Sequence, residues 1–218
     1  MGIPKIYVDT NILKFSATEL PRLKPRSQKI NWGGVEHEVI VHDFVDTNPN
    51  NNINNPELKR EADILPELAK LGKNGLVKYV IQMEAKLESW GIPNMDSKSG
   101  RFYGAPLEQI DAPVIYSRVI AGGLSHPKDM QYEFLSSLKH KRFIELQKIT
   151  GAYQGKKKAN RNQLLDAFYI WCAEHSGCDY FLTMDFKLIR VVLNNTHSNL
   201  SVKLVRPSEL LSEFGNGT

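Results

Sequence analysis

The chain has 218 residues, 41% of them hydrophobic, and a net charge of +4. That suffices for one sizeable core, requires no second domain and excludes a mainly disordered chain. The two cysteines, Cys172 and Cys178, sit in no CxxC pair or Cys/His cluster, which argues against zinc and for reduced thiols. The apolar runs are too short to cross a bilayer, and the first residues lack a basic-then-apolar signal. A soluble cytoplasmic protein without a membrane partner is therefore expected.

Ile6 to Val8 is a short β-rich run that suits a buried central strand, and a helix is expected from Asn11, ending before Pro21. From Pro21 to Pro56 the rhythm breaks. Only "VIVHDFV", Val39 to Val45, reads as a strand there, and "NPNNNINNP", Asn48 to Pro56, reads as a polar loop. Glu57 to Leu71 reads as a helix stopped by Gly72 and Gly75. Leu76 to Ile81 follows as a strand and Met83 to Trp90 as a helix. Gly91 to Gln109 reads as a loop, and Val114 to Ile120 as a strand. One helix is expected over Gln131 to Ile149 and another over Asn162 to His175. Tyr180 to Met184, Phe186 to Leu193 and Val202 to Val205 read as strand, helix and strand. A final helix, "PSELLSEF", has Ser208 as its expected cap. Strand and helix alternate at both ends, which predicts a three-layer α/β/α fold with a mostly parallel sheet. The reading is one domain over 1–218, with insertions at about 21–56 and 91–130 that form loops or a small β element.

Acids end the strands. Asp9 closes the first, and Asp185 follows "YFLTM" in the same way. In open parallel sheets ligands bind beyond the carboxyl ends of the strands, where both acids would meet. An Asp at a strand-to-helix junction also suits a plain N-cap. Asp166 lies in "NQLLDAFYIWCAEH", a helix apolar almost all round, so its carboxylate needs a partner. Arg161 or Asn162, about a turn earlier, would serve structurally, and a metal would serve chemically. "KYVIQMEAKLE" adds Glu84 and Glu88, four apart on one helix face. Carboxylates gathered in one crevice repel one another and call for a cation. Hard oxygen ligands suit Mg²⁺ or Mn²⁺, which points to metal-assisted phosphodiester hydrolysis.

Three blocks in this order resemble the PIN domain, a family of metal-dependent ribonucleases. They are "IYVDTNIL", a Glu after the second strand, and "LLDAFYIWCAEHSGCDYFLTMDFKL". The resemblance covers about half the chain. It implies an endoribonuclease with Mg²⁺ or Mn²⁺ held by Asp9, Glu84 or Glu88, Asp166 and Asp185. Thr183 would steady the acids, and Asn11 would hydrogen-bond within the site. The family usually carries Ser or Thr where Met83 stands. Counting from Met83 favours Glu88, while closeness to the strand end favours Glu84.

The resemblance also implies partners. These are an RNA substrate, a second copy of the chain and, for a toxin of a toxin–antitoxin pair, an antitoxin protein. An RNA-processing role is the alternative, because the small toxins lack these insertions. "GKKKANR" puts Lys156, Lys157, Lys158 and Arg161 just before the Asp166 helix, in position for flanking phosphates or for solvent. "SGRFYGAPLE", with Arg101 and two aromatics, would stack on unpaired bases or pack on the fold. Two rival readings remain. A doubly wound phosphatase usually needs an Asp at position 11, where Asn11 stands. A non-catalytic nucleic-acid-binding or scaffold module would be marked by loss of acids, and here the acids are present.

Overall fold

A computed structural model of the chain describes residues 2–17, 20–47, 49–89, 101–117, 127–152, 160–195 and 199–214. In chain order the elements are β1 (Lys5–Val8), α1 (Thr10–Ser16), β2 (Leu20–Trp32), β3 (Val35–Thr47), α2 (Pro56–Lys73), β4 (Lys78–Gln82) and α3 (Met83–Ser89). There follow β5 (Leu107–Ile110), α4 (Pro127–Ser137), α5 (Lys141–Ile149), α6 (Arg161–His175), β6 (Tyr180–Leu182), α7 (Phe186–Leu193), β7 (Lys203–Val205) and α8 (Pro207–Phe214). Five strands form one sheet in the order β5–β4–β1–β6–β7, every neighbouring pair parallel. Helices flank it, as an α/β chain requires. The group α1, α2, α3 and α8 is linked by mutual packing, and α6 packs with α4 and α5.

The strand order positions the site. The chain starts at the centre in β1, builds outward through β4 and β5, then returns to the other side of β1 with β6. The connections reverse direction between β1 and β6, and such a switch point opens a crevice at the carboxyl ends of the strands. β1 suits the centre because Ile6, Tyr7 and Val8 are all fully buried, as a strand covered on both faces requires. The apolar girth of α6 has a matching cause. Leu164, Leu165, Ala167, Phe168 and Ile170 are all buried. The Phe168 ring lies 6.2 Å from that of Phe143 on α5 and 5.8 Å from that of Phe134 on α4.

Several elements differ from the sequence reading. Residues 20–47 hold a two-stranded antiparallel hairpin, not one strand in a loop. Pro21, Pro25 and the cations of β2 hide its strand character, yet both strands of a ribbon are edge strands and tolerate them. Gly33 and Gly34, at φ +62° and +82°, make the tight turn. Gly72 does not stop α2. A Cβ there would lie 2.6 Å from the Tyr79 ring, so this glycine serves close packing, and Gly75 at φ +70° turns the chain instead.

β5 begins inside the expected Gly91–Gln109 loop and forms an edge of the central sheet, so that segment is not wholly an insertion. The strand expected at Val114–Ile120 is absent over Val114–Ser117, and its remainder falls outside the described residues. The single helix expected at Gln131–Ile149 is two, α4 and α5, broken where His140 caps α5 by accepting from the Arg142 amide at 3.2 Å. Ser208 is not a cap. It lies inside α8, where its amide and hydroxyl donate to the buried Glu61 at 2.8 and 2.7 Å. Both cysteines are free and buried. Among the described residues no helix is long and apolar enough to cross a membrane.

Candidate active site

Asp9 ends β1 at the switch point and is 5% exposed. Its Oδ1 accepts from the Thr10 amide at 2.7 Å, which caps α1, so the capping role and the site role coexist. Its Oδ2 accepts from Asn11 Nδ2 and Thr183 Oγ1, both at 2.7 Å. Thr183 follows β6, so these bonds close the sheet edge across the crevice. Asn11 strengthens the closure, because its Oδ1 accepts from the Met184 amide at 2.9 Å. The Asp185 amide in turn donates to Thr183 Oγ1 at 3.0 Å.

Asp185 spends one oxygen on structure. Its Oδ1 caps α7, accepting from the amides of Lys187 and Leu188 at 2.9 Å each. Its Oδ2 accepts no hydrogen bond among the described residues. Asp166 on α6 accepts none at either oxygen. Arg161 and Asn162 do not satisfy it. Arg161 hydrogen-bonds Gln131 and, at 3.2 Å, Asn162 Oδ1.

The two glutamates of α3 have separate fates. Glu88 faces the cluster. Its Oε2 accepts from Thr10 Oγ1 at 3.1 Å and from the Tyr169 hydroxyl at 2.9 Å, and Arg161 Nη2 lies 3.4 Å from its Oε1. Glu84 is 1% exposed and accepts from Gln131 Nε2 at 2.8 Å, while its own amide donates to Gln82 at 2.6 Å. Of the two, Glu88 is the one whose charge acts on Asp9 and Asp166. Glu84 belongs to a buried polar link that runs through Gln131 to Arg161.

The electrostatics follow from this crowding. The Asp9 carboxyl is raised to about 6: burial first and then the charges of Glu88 and Asp185 push it up, against the Thr183 and Thr10 hydrogen bonds. Asp166 is raised well above the carboxylate range, by burial first and then by the charges of Asp9, Asp185 and Glu88. Four carboxylates therefore share one field, and two of them hold their protons too tightly for an undisturbed acid.

Among the described residues, no three His, Cys, Asp or Glu side chains are arranged to hold a metal ion as they stand. The donor set still fits Mg²⁺ or Mn²⁺, which keep several waters and take only one or two carboxylates. Asp166 and Asp185 Oδ2 have lone pairs uncommitted to hydrogen bonds, and a cation would relieve the repulsion that raises Asp9 and Asp166.

Thr10, Tyr169 and Gln131 take part without having been expected. Tyr169 stands three residues after Asp166, hence on the same helix face, and that spacing was legible. The reach of Gln131 from α4 was not. Arg101 opens the turn Arg101–Gly104, which packs on α1 and α2, and it makes no hydrogen bond or ion pair with the acids among the described residues. Beside it, Phe102 is fully buried and meets the Tyr79 ring edge-on at 4.9 Å, so it packs on the fold and cannot stack on a base. Lys156, Lys157 and Lys158 lie outside the described residues.

Fold and site together define an α/β protein with a crevice of acids at the switch point of a parallel sheet. Compared with family models, curated proteins and solved structures, the chain finds no match in any of the three.

Proposed function

We propose that the chain is a PIN-type endoribonuclease that hydrolyses RNA phosphodiester bonds with Mg²⁺ or Mn²⁺ at the acidic crevice. The observation that carries this reading is the convergence of Asp9, Glu88, Asp166 and Asp185 at the switch point, two of them with raised carboxyls. Structural acids would be paired with cations. Among the described residues, the ion pair at these acids is Arg161 with Glu88, at 3.4 Å.

The roles divide by hydrogen bonding. Asp9 is locked by three donors, so its orientation is fixed before any ligand arrives. Glu88 is aimed by Thr10 and Tyr169. Asp166 and Asp185 Oδ2 are uncommitted and would take a cation or its waters. A bound divalent ion would offset the carboxylate charge, polarise the phosphodiester and lower the pKa of a coordinated water. Arg161 carries a guanidinium at the rim of the cluster, suited to a phosphate oxygen, and Lys156 to Lys158 precede it in sequence. The phosphatase alternative gains nothing, because Asn11 is committed to Asp9, Thr183 and Met184.

The test is cleavage of a mixed pool of single-stranded and structured RNA with Mn²⁺, Mg²⁺ or EDTA. Cutting that needs the metal and stops in Asp166→Asn supports the reading. A folded chain that leaves the pool intact with either metal refutes it.

A further inference from the structure

Gln131 lies on α4 and is 5% exposed. Its Nε2 donates to Glu84 Oε2 at 2.8 Å, and its Oε1 accepts from Arg161 Nη1. A carboxylate only accepts hydrogen bonds and a guanidinium only donates them. A primary amide carries one group for each, so a single orientation of Gln131 satisfies both neighbours. The Glu84 end is anchored in turn. Its backbone amide donates to Gln82 Oε1 at 2.6 Å, and Gln82 Nε2 donates to the Tyr116 hydroxyl at 2.7 Å. α4 also packs on α6, the helix that Arg161 opens.

The far end of this link sets how Arg161 meets the acids. Arg161 Nη2 donates to Asn162 Oδ1 at 3.2 Å and stands 3.4 Å from Glu88 Oε1, an ion pair rather than a hydrogen bond. Arg142 and Glu174 supply the contrast. There the fork closes, with Nε at 2.9 Å and Nη2 at 2.6 Å from the two carboxylate oxygens. Burial of the arginine does not separate the two cases, since Arg161 is 23% exposed and Arg142 26%. The acceptor at Nη1 does. Beside Arg142 it is a second carboxylate, Glu145, and beside Arg161 it is the amide of Gln131. An amide oxygen fixes a guanidinium without cancelling its charge.

We propose that Gln131 is a positioning residue that holds Arg161 off Glu88, leaving Glu88 to the cation and the guanidinium to a phosphate oxygen. Without that tether the guanidinium closes on Glu88 as Arg142 does on Glu174. Such a charge-assisted fork is strong and would withdraw one acid from the cluster. The inference rests on the cation site proposed above, and its test separates the two.

The test is calorimetric titration of Mn²⁺ at pH 6 into the parent chain, Gln131→Met, Arg161→Met and the double variant, each shown to be folded by circular dichroism. Gln131→Met should bind Mn²⁺ about 10-fold more weakly than the parent chain, a usual scale for coupling between neighbouring side chains. Arg161→Met should bind more tightly than the parent chain, because a cation leaves the rim. Gln131→Met/Arg161→Met should match Arg161→Met, since the tether then has nothing to hold. If Gln131→Met does not fold, Gln131→Asn, too short to span both neighbours, should show the same loss. A parent chain that binds no Mn²⁺ refutes the cation site, and this inference with it. Equal affinity in the parent chain and Gln131→Met overturns the inference alone. So does a loss that persists in the double variant, which would give Gln131 a merely structural role.

Discussion

Thr183 Oγ1 donates to Asp9 Oδ2 at 2.7 Å, joining residues 174 positions apart at the switch point of the sheet. The bond acts on both fold and site. It ties the edges of β1 and β6 together, and it favours the charged form of a carboxyl that burial would keep neutral. Thr183→Val keeps the shape and removes the donor. It should cost about 1–3 kcal/mol, as expected for a buried acceptor losing its partner. Chemical denaturation measures the loss. An unchanged midpoint would show that the bond holds nothing.

The raised Asp9 carboxyl makes the metal-free chain sensitive to pH. Its folded value, about 6, lies above its ordinary value of 3.8, so the folded chain binds that proton more tightly. Unfolding free energy should fall as pH rises from about 4 to 6, by about 3 kcal/mol from this group, and stay lower above that window. Asp166 adds to the same trend, because its shift has the same sign. Thermal unfolding in EDTA from pH 5 to 8 should show a falling midpoint, and Mn²⁺ at pH 8 should restore it. A midpoint that climbs with pH in EDTA would count against the crowded site.

Asp166→Asn separates stability from activity. The carboxylate accepts no hydrogen bond among the described residues and faces three other acids. Neutralising it should stabilise the metal-free chain at pH 8 while abolishing cleavage. Loss of both would recast Asp166 as a structural residue.

Glu88 and Glu84 should part company under the same substitution. Glu88→Gln removes an acid of the cluster and should lower the cleavage rate at least about 100-fold, the scale of losing a main electrostatic contributor. Glu84→Gln disturbs the buried link through Gln131 to Arg161, costing about 1–3 kcal/mol with cleavage largely kept. Single-turnover rates beside melting curves distinguish the two, and a reversed ranking would return the role to Glu84.

Reversing the charge of Lys156, Lys157 and Lys158 should weaken RNA binding and flatten its salt dependence, because each lost phosphate contact lowers the slope by about one. Filter binding across a salt series reads this directly. An unaltered slope would leave those lysines to solvent.

What the sequence revealed and concealed has a physical pattern. β1, α6 and β6 were legible because burial on both sides forces unbroken apolar runs, and the acids at their ends broke those runs visibly. Asp9, Asn11 and Thr183 were legible for the same reason. Which glutamate would lie beside the other acids was not, since two glutamates four apart share a helix face, and the positions of Tyr169 and Gln131 separate them. β5 was hidden because an edge strand with exposed Glu108 and Gln109 carries little apolar signal. The hairpin was hidden because its side chains over 24–43 are largely exposed, so its strands are free to carry prolines and charge. His140 divides α4 from α5 through a cap, a local hydrogen bond that leaves no mark on the hydrophobic rhythm.

The central claim is that the carboxylates at the switch point form one cation site. Calorimetric titration of Mn²⁺ at pH 6 tests it without any choice of RNA. The parent chain should bind Mn²⁺ with release of protons from the raised carboxyls. Asp166→Asn should bind more weakly and release fewer. Equal binding by both chains, or none by the parent chain, would contradict it.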